Sequence, residues 1–162
     1  MSESTSKCVL SIDVGSSGPK ISVVDENGDI LATRSGHFKS VYSDEGRGVE
    51  QDPNELWNQI LRLSKEVVDE SGMAKNIVAI GNCSQYFSSI AVDKDGNPTH
   101  NMIMWEDSRS SKLVSKRMGG FPQYLGYNLY KLARWLISVG VPPIIQGIGA
   151  SSHMVWLKEE KP

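Results

Sequence analysis

The sequence predicts an α/β fold, a mixed β-sheet flanked by helices, and three features carry that prediction. Three strand-like runs follow one another over the first 35 residues. An amphipathic helical pattern comes next, with its own start and stop signals. A wholly apolar run, Ile77-Val78-Ala79-Ile80, follows the helix, and the remainder reads as short strands and further helices. Strands in succession, then helix, strand and helices, is the order of a sheet covered by helices rather than of a bundle or a sandwich. At 162 residues the chain is long enough for one domain with a real core, and residues 1–162 are read as one domain.

The run Val9-Leu10-Ser11-Ile12-Asp13 reads as a buried strand ending in an acid. Gly15-Ser16-Ser17-Gly18 is a tight turn of glycines and hydroxyls, and a second strand runs from Lys20 to Val24. This places a carboxylate beside backbone N–H and hydroxyl donors, which suits phosphate oxygens and the magnesium that accompanies them. An ordinary hairpin uses the same residue types. A carboxylate at the end of an apolar strand costs folding energy unless a cation or donors satisfy it. Asn27-Gly28 is a hairpin signal leading to a third strand, Ile30 to Ser35. The polar stretch Lys39 to Gly48 reads as a loop.

Asp52 caps a helix, Pro53 suits its first position, and Glu55 completes a box-like start. Leu56, Trp57, Ile60, Leu61, Leu63, Val67 and Val68 recur at helical spacing, and Gly72 is the natural stop. Ile77 to Ile80, apolar throughout, fits a central strand. Ser88 to Asp93 reads as another strand, turned by Asp95-Gly96 towards Met102-Ile103-Met104. Helices are expected from near Asp107 and near Asn128. The second carries Leu129, Leu132, Ala133, Leu136 and Ile137 on one side and ends at Gly140. A last helix holds Val155, Trp156 and Leu157 and runs up to Pro162 with no strand after it. The chain therefore reads as part of a larger unit, with an apolar helix face that favours self-association.

Apolar residues make up 39% and charged residues 22%, with a formal net charge of −2, so no strong field draws nucleic acid or an anionic membrane. Arg109, Lys112, Lys116 and Arg117 fit one solvated helix face. Cys8 and Cys83 lie in or at the end of apolar runs and read as buried free thiols of a reducing compartment. The first seven residues carry no signal-peptide core. The apolar stretch from Trp135 to Ile148 is broken by Gly140, Pro142 and Pro143. A soluble, cytoplasmic protein is expected.

Several tempting motifs fail on their spacing. Gly15 to Lys20 is too short for a Walker A loop and no Ser or Thr follows the lysine. Gly147-Ile148-Gly149 lacks the third glycine of a dinucleotide fingerprint. Asp93 to Asn97 begins like a calcium loop, but Pro98 stands where the turn glycine is needed and no glutamate closes it. His37, His100 and His153 are scattered and mark no cluster.

Four segments in order carry the functional reading. They are the D-V-G-S-S turn from Asp13, Glu50-Gln51-Asp52-Pro53, Gly81-Asn82-Cys83-Ser84-Gln85-Tyr86-Phe87, and Trp105-Glu106-Asp107-Ser108-Arg109. Together they resemble the N-terminal domain of the FGGY family of carbohydrate kinases. The opening is similar to the family's D-x-G-[TS]-[ST] phosphate motif. The third resembles its g-x-x-x-Q motif, the fourth its W-x-D-x-R element, and Trp156-Leu157-Lys158 its W-L-K helix. The resemblance runs from about Leu10 to Pro162.

That resemblance implies a ribonuclease-H-like fold, like that of actin, the heat-shock ATPases and hexokinase. In it two such domains flank a cleft, of which this chain holds part of the first. It implies transfer of the γ-phosphoryl group of ATP, with magnesium, to a sugar or polyol hydroxyl. Asp13 matches the acid that holds magnesium through water, and Gly15, Ser16 and Ser17 match the turn facing the phosphate. Gln85, Tyr86 and Phe87 match the segment that meets the sugar. Tyr86 and Phe87 depart from the polar or charged residues common there; they either stack on a sugar face or belong to the core. Trp105, Asp107 and Arg109 match an element that is part substrate pocket, part structural pair. The family's general base and adenosine site fall beyond residue 162, so the nucleotide-binding domain is missing and the fragment alone is expected to be inactive. A non-catalytic sugar-binding module, or one subunit of a split gene, is the alternative.

Overall fold

The computed structural model describes residues 6–160; the last two residues, up to which the final helix was expected to run, lie outside the described residues. The strands are β1 (Cys8–Gly15), β2 (Gly18–Asp25), β3 (Ile30–Ser35), β4 (Val41–Ser43), β5 (Gly48–Gln51), β6 (Ile77–Cys83), β7 (Met102–Ile103), β8 (Gln123–Tyr124) and β9 (Tyr127–Asn128). The helices are α1 (Pro53–Ser71), α2 (Ser111–Met118), α3 (Leu129–Val139) and α4 (Ala150–Glu160). Contacts divide the chain into two compact units. One comprises the residues up to Lys39 with Asp52–Gln85; the other comprises Ser40–Gln51 with Tyr86 onward.

The first unit is built on a four-stranded sheet in the order β3-β2-β1-β6. β1, β2 and β3 are antiparallel neighbours, and β6 lies parallel to β1, so the sheet is mixed as the sequence predicts. Register places Leu10, Val23 and Ala32 side by side, all three buried. α1 packs on β1, β2 and β3 and buries Leu56, Ile60, Leu63 and Val67. Its limits follow from the expected signals. The Asp52 carboxylate accepts from the Asn54 N–H at 2.8 Å and the Glu55 N–H at 3.4 Å, and Gly72 closes the helix at φ 66°. Glu55 does not complete the box; its carboxylate accepts from Gln59 instead.

β6 departs from the expected central position. Among the described residues it pairs with β1 alone, and Val78 and Ile80 stand 63% and 64% exposed. An all-apolar strand reports the burial its side chains favour, not which segment supplies the cover.

In the second unit β4, β5 and β7 form a three-stranded antiparallel sheet, and β8 and β9 form a hairpin. The stretch expected to be a loop from Lys39 to Gly48 thus holds β4 and the start of β5. Its polar composition hid a strand pair anchored by buried Val49 and Gln51. The strand expected over Ser88 to Asp93 is reduced to two bridges, Ser89 with Ile103 and Val92 with Pro98. The Asp93 carboxylate accepts from the N–H groups of Asp95 and Asn97, a turn closed on its own backbone rather than a cation loop. α2 begins four residues later than expected, at Ser111. α3 starts where expected, capped by Asn128, and stops at Gly140 with φ 83°. None of its side chains is buried, and Ile137 is 87% exposed. In α4 the buried residues are Ser152 and His153, while Val155, Trp156 and Leu157 are half-buried. Val155, Trp156 and Leu157 are therefore not the exposed face expected; on the last helix the large exposed apolar residue is Met154, and β6 and α3 expose Val78, Ile80 and Ile137. Cys83 is likewise exposed, not buried, and both cysteines are free.

Candidate functional site

In the first unit β1 and β2 meet across a two-residue turn, Ser16-Ser17, with Gly15 opposite Gly18. Gly18 sits at φ 151°, and a Cβ there would lie 2.1 Å from the Gly36 carbonyl oxygen, so only glycine lets the next segment approach. That segment is tied down by Phe38 N–H donating to the Ser17 carbonyl and Gly36 N–H to the Pro19 carbonyl, at 2.9 and 2.8 Å. The turn is fixed from below while both serines face solvent.

Asp13 stands on β1 beside this turn, with Lys20 opposite it on β2 and Cys83 opposite on β6. Its carboxylate is exposed, and among the described residues it accepts a hydrogen bond from Cys83 Sγ at 3.3 Å. The expected folding cost of a buried acid therefore does not arise, because this end of the sheet face is polar and open. The bond and charge of Asp13 push the Cys83 thiol above its ordinary pKa. Gln85, half-buried just past β6, donates from Nε2 to the Gly15 carbonyl at 3.3 Å. The structure thus brings Asp13, Gly15, Ser16, Ser17 and Gln85 to one end of the first unit's sheet. Strand ends of open sheets are where such folds place ligands.

The donor set tests which metal would fit. Among the described residues no group of three His, Cys, Asp or Glu side chains converges on one point. A lone exposed carboxylate fits magnesium held mainly by phosphate oxygens and water, not an ion caged by protein.

The second unit holds Tyr86, Phe87, Trp105, Asp107 and Arg109. Tyr86 is 76% exposed, Phe87 39% and Trp105 44%, so none of the three is buried by the described residues. Asp107 and Arg109 differ. Asp107 is 2% exposed and accepts from the Val49 N–H at 2.9 Å, the Arg109 N–H at 3.0 Å and Arg109 Nε at 2.9 Å. Arg109 Nη2 lies 2.8 Å from Asp107 and 2.7 Å from Glu50, close enough for ion pairs though not aligned as hydrogen bonds. The Trp156 ring covers the guanidinium at 4.1 Å. Burial works against the Arg109 charge, but its hydrogen bonds to Asp107 and its pairing with Asp107 and Glu50 outweigh that and raise its pKa. This geometry is a buried brace holding the segment that carries Trp105. Glu50 is the member that the sequence placed at a helix start; only the β5–β7 pairing brings it to Arg109.

His153, which the sequence left without a role, is 1% exposed with Nδ1 3.1 Å from Ser89 Oγ. Burial pushes its pKa below the ordinary value, against the upward pull of Asp107 and with a downward push from Arg109. The unfolded chain therefore takes up this proton first. The stability that His153 contributes is present above about pH 6.5 and is lost as pH falls through the lower folded-state value. Melting curves between pH 7.5 and 5 are expected to show wild type losing more stability than His153→Gln; equal losses would contradict this.

The model of the FGGY family of carbohydrate kinases, N-terminal domain, matches residues 8–162. A glycerol kinase of Aquifex aeolicus (strain VF5) is 34% identical over 121 residues, 74% of this chain and 24% of that protein. Glycerol kinase 5 of Xenopus laevis is 35% identical over 111 residues, 67% of this chain and 23% of that protein. The chain thus spans about a quarter of the length of these curated relatives. Among solved structures, xylulose kinase from Bifidobacterium adolescentis has a TM-score of 0.70 at 19% identity, covering 98% of this chain and 30% of that one. Gluconate kinase from Lactobacillus acidophilus has 0.69 at 23%, covering 96% and 29%. These likenesses show the ribonuclease-H-like fold of the sugar kinases. With the family match spanning nearly every residue, the chain belongs to the FGGY family of carbohydrate kinases.

Proposed function

We propose that this chain is the N-terminal part of an ATP-dependent kinase that phosphorylates a hydroxyl of a sugar or polyol. The observation that carries this reading is the exposed Asp13 carboxylate beside a two-residue hydroxyl turn at the sheet's end. In the reaction the substrate hydroxyl oxygen bonds to the γ-phosphorus, the bond to the β,γ-bridging oxygen breaks, and ADP leaves. The hydroxyl proton passes to a base. Magnesium, bound with ATP, would neutralise phosphate charge. Asp13 would hold that ion, and Gly15, Ser16 and Ser17 would face the transferring phosphate. Gln85 sets the strand end against the turn. Gln85 in the first unit and, separately, Tyr86, Phe87 and Trp105 in the second are the residues we assign to the sugar, with Asp107 and Arg109 bracing the segment that carries Trp105.

We place the general base and the adenosine site in the parts of a complete kinase outside residues 1–162. A cytoplasmic location accords with the two free thiols and with the lack of any helix, among the described residues, long and apolar enough to cross a membrane.

The test is ADP release by the 162-residue chain with ATP, magnesium and a panel of sugars and polyols. No turnover is expected, whereas kcat on the order of 1 s⁻¹, as in working kinases, would contradict the division of labour proposed. In the same preparation the exposed apolar residues of β6 and α3 are expected to drive self-association, and a strictly monomeric mass at every concentration would contradict that.

A further inference from the structure

The aromatic pair after β6 is the feature that the kinase reading leaves least explained. Tyr86 and Phe87 are consecutive, yet their ring centroids lie 3.8 Å apart with planes tilted by only 31°. Adjacent residues of an extended strand point to opposite faces, so this stacking needs a break in the backbone. Phe87 supplies it, at φ 63°, a left-handed conformation that bulky residues rarely adopt. Such a conformation persists where the surroundings hold it, and it clusters at ligand sites. Gly149 is part of those surroundings: a Cβ there would lie 3.5 Å from the Phe87 ring, and its own φ of 98° favours glycine. The chain thus adopts an unfavourable backbone to leave a pair of rings 76% and 39% exposed.

We infer that Tyr86 and Phe87 form a stacking platform that selects a neutral sugar in its ring form; this rests on the kinase reading above. An aromatic face attracts the weakly positive C–H edges of a sugar ring, and the rigid rings lose little entropy on contact. Ligand sites of this kind combine apolar surface with a few polar groups that fix orientation. The charge pattern points the same way. The one arginine of the sugar-side motif, Arg109, is already paired with Glu50 and Asp107 and covered by Trp156. It is not available to pair with the carboxylate of a sugar acid. The platform therefore favours a neutral ring over an open-chain aldonate and over a small triol, which has no ring face to stack.

The experiment is ligand-observed NMR titration of the 162-residue chain with three probes: methyl β-D-xylopyranoside, which is locked as a ring, D-gluconate and glycerol. The ring probe is expected to bind most tightly, with saturation transferred to its C–H protons. Tyr86→Ala and Phe87→Ala are each expected to weaken it about 5-fold, while Tyr86→Phe keeps the ring and binds as wild type. Tyr86 is mostly exposed, so its replacement leaves folding intact and serves as the check on Phe87→Ala. Unchanged binding in both alanine variants, or tighter binding of gluconate or glycerol, overturns the platform and leaves the kinase reading standing. No binding of any probe up to its solubility limit likewise overturns the platform, and the kinase reading is then decided by turnover of the complete protein.

Discussion

Asp13→Asn, in a complete kinase carrying this segment, is expected to lower kcat by about 100-fold or more while sugar affinity and melting temperature stay near wild type. The substitution keeps the side chain's shape and removes its charge. Asp13 is exposed, and its carboxylate accepts from Cys83 alone among the described residues, so folding depends little on it. The competing account, in which the acid caps the Ser16-Ser17 turn, requires backbone N–H donors on the carboxylate. It would predict a stability loss of about 1 kcal/mol and only a modest rate effect. The structure instead ties that turn through main-chain bonds to Phe38 and Gly36. Measuring kcat and melting temperature on the same variant separates the two, and near wild-type turnover would remove Asp13 from the metal-holding role.

Asp107→Ala is expected to do the reverse. It removes a buried acceptor of three N–H groups and leaves the Arg109 guanidinium with Glu50 alone. Breaking one partner of a buried ion pair costs about 3–5 kcal/mol, because the remaining charge stays desolvated. Denaturant unfolding should show that loss, enough to unfold a marginal domain. Glu50→Gln should cost less, since Glu50 is partly solvated and Arg109 keeps Asp107. A loss under about 1 kcal/mol for Asp107→Ala, the level of an exposed pair, would mean that the brace is not what holds this segment. The two acids thus divide by burial: Asp13 is exposed, and Asp107 is buried within its own hydrogen bonds.

Much of this was legible in the residues. The three opening strands, the Asp52 cap, the Gly72 and Gly140 stops and the Asn128 start all follow from local chemistry, and each appears as predicted. β4 and β5 were not legible. Residues 41–51 are mostly polar; β4 pairs with β5, and β5 in turn pairs with β7, some fifty residues away. For the same reason Glu50 read as a helix leader rather than a partner of Arg109. Apolar content marked Ile77 to Ile80 as a strand but not its neighbours, so its edge position was hidden. At the candidate site, Asp13 and its turn are read from a contiguous motif. For Tyr86 and Phe87 the sequence leaves stacking and core open; their exposure and the backbone angle of Phe87 are features that no sequence pattern carries.

The central claim is that this segment serves sugar phosphorylation. The most direct measurement follows ATP and product together, by phosphorus NMR, for the complete protein that carries residues 1–162, offered polyols, pentuloses, cyclic sugars and hexonates one at a time. The account predicts ADP and a phosphate ester in equal amounts, dependent on one class of sugar and abolished without magnesium. ATP consumption with inorganic phosphate as the only product and no dependence on sugar would make the protein an actin-like ATPase. Sugar binding with no ATP consumption would make it a binding module, and either result would contradict the kinase assignment.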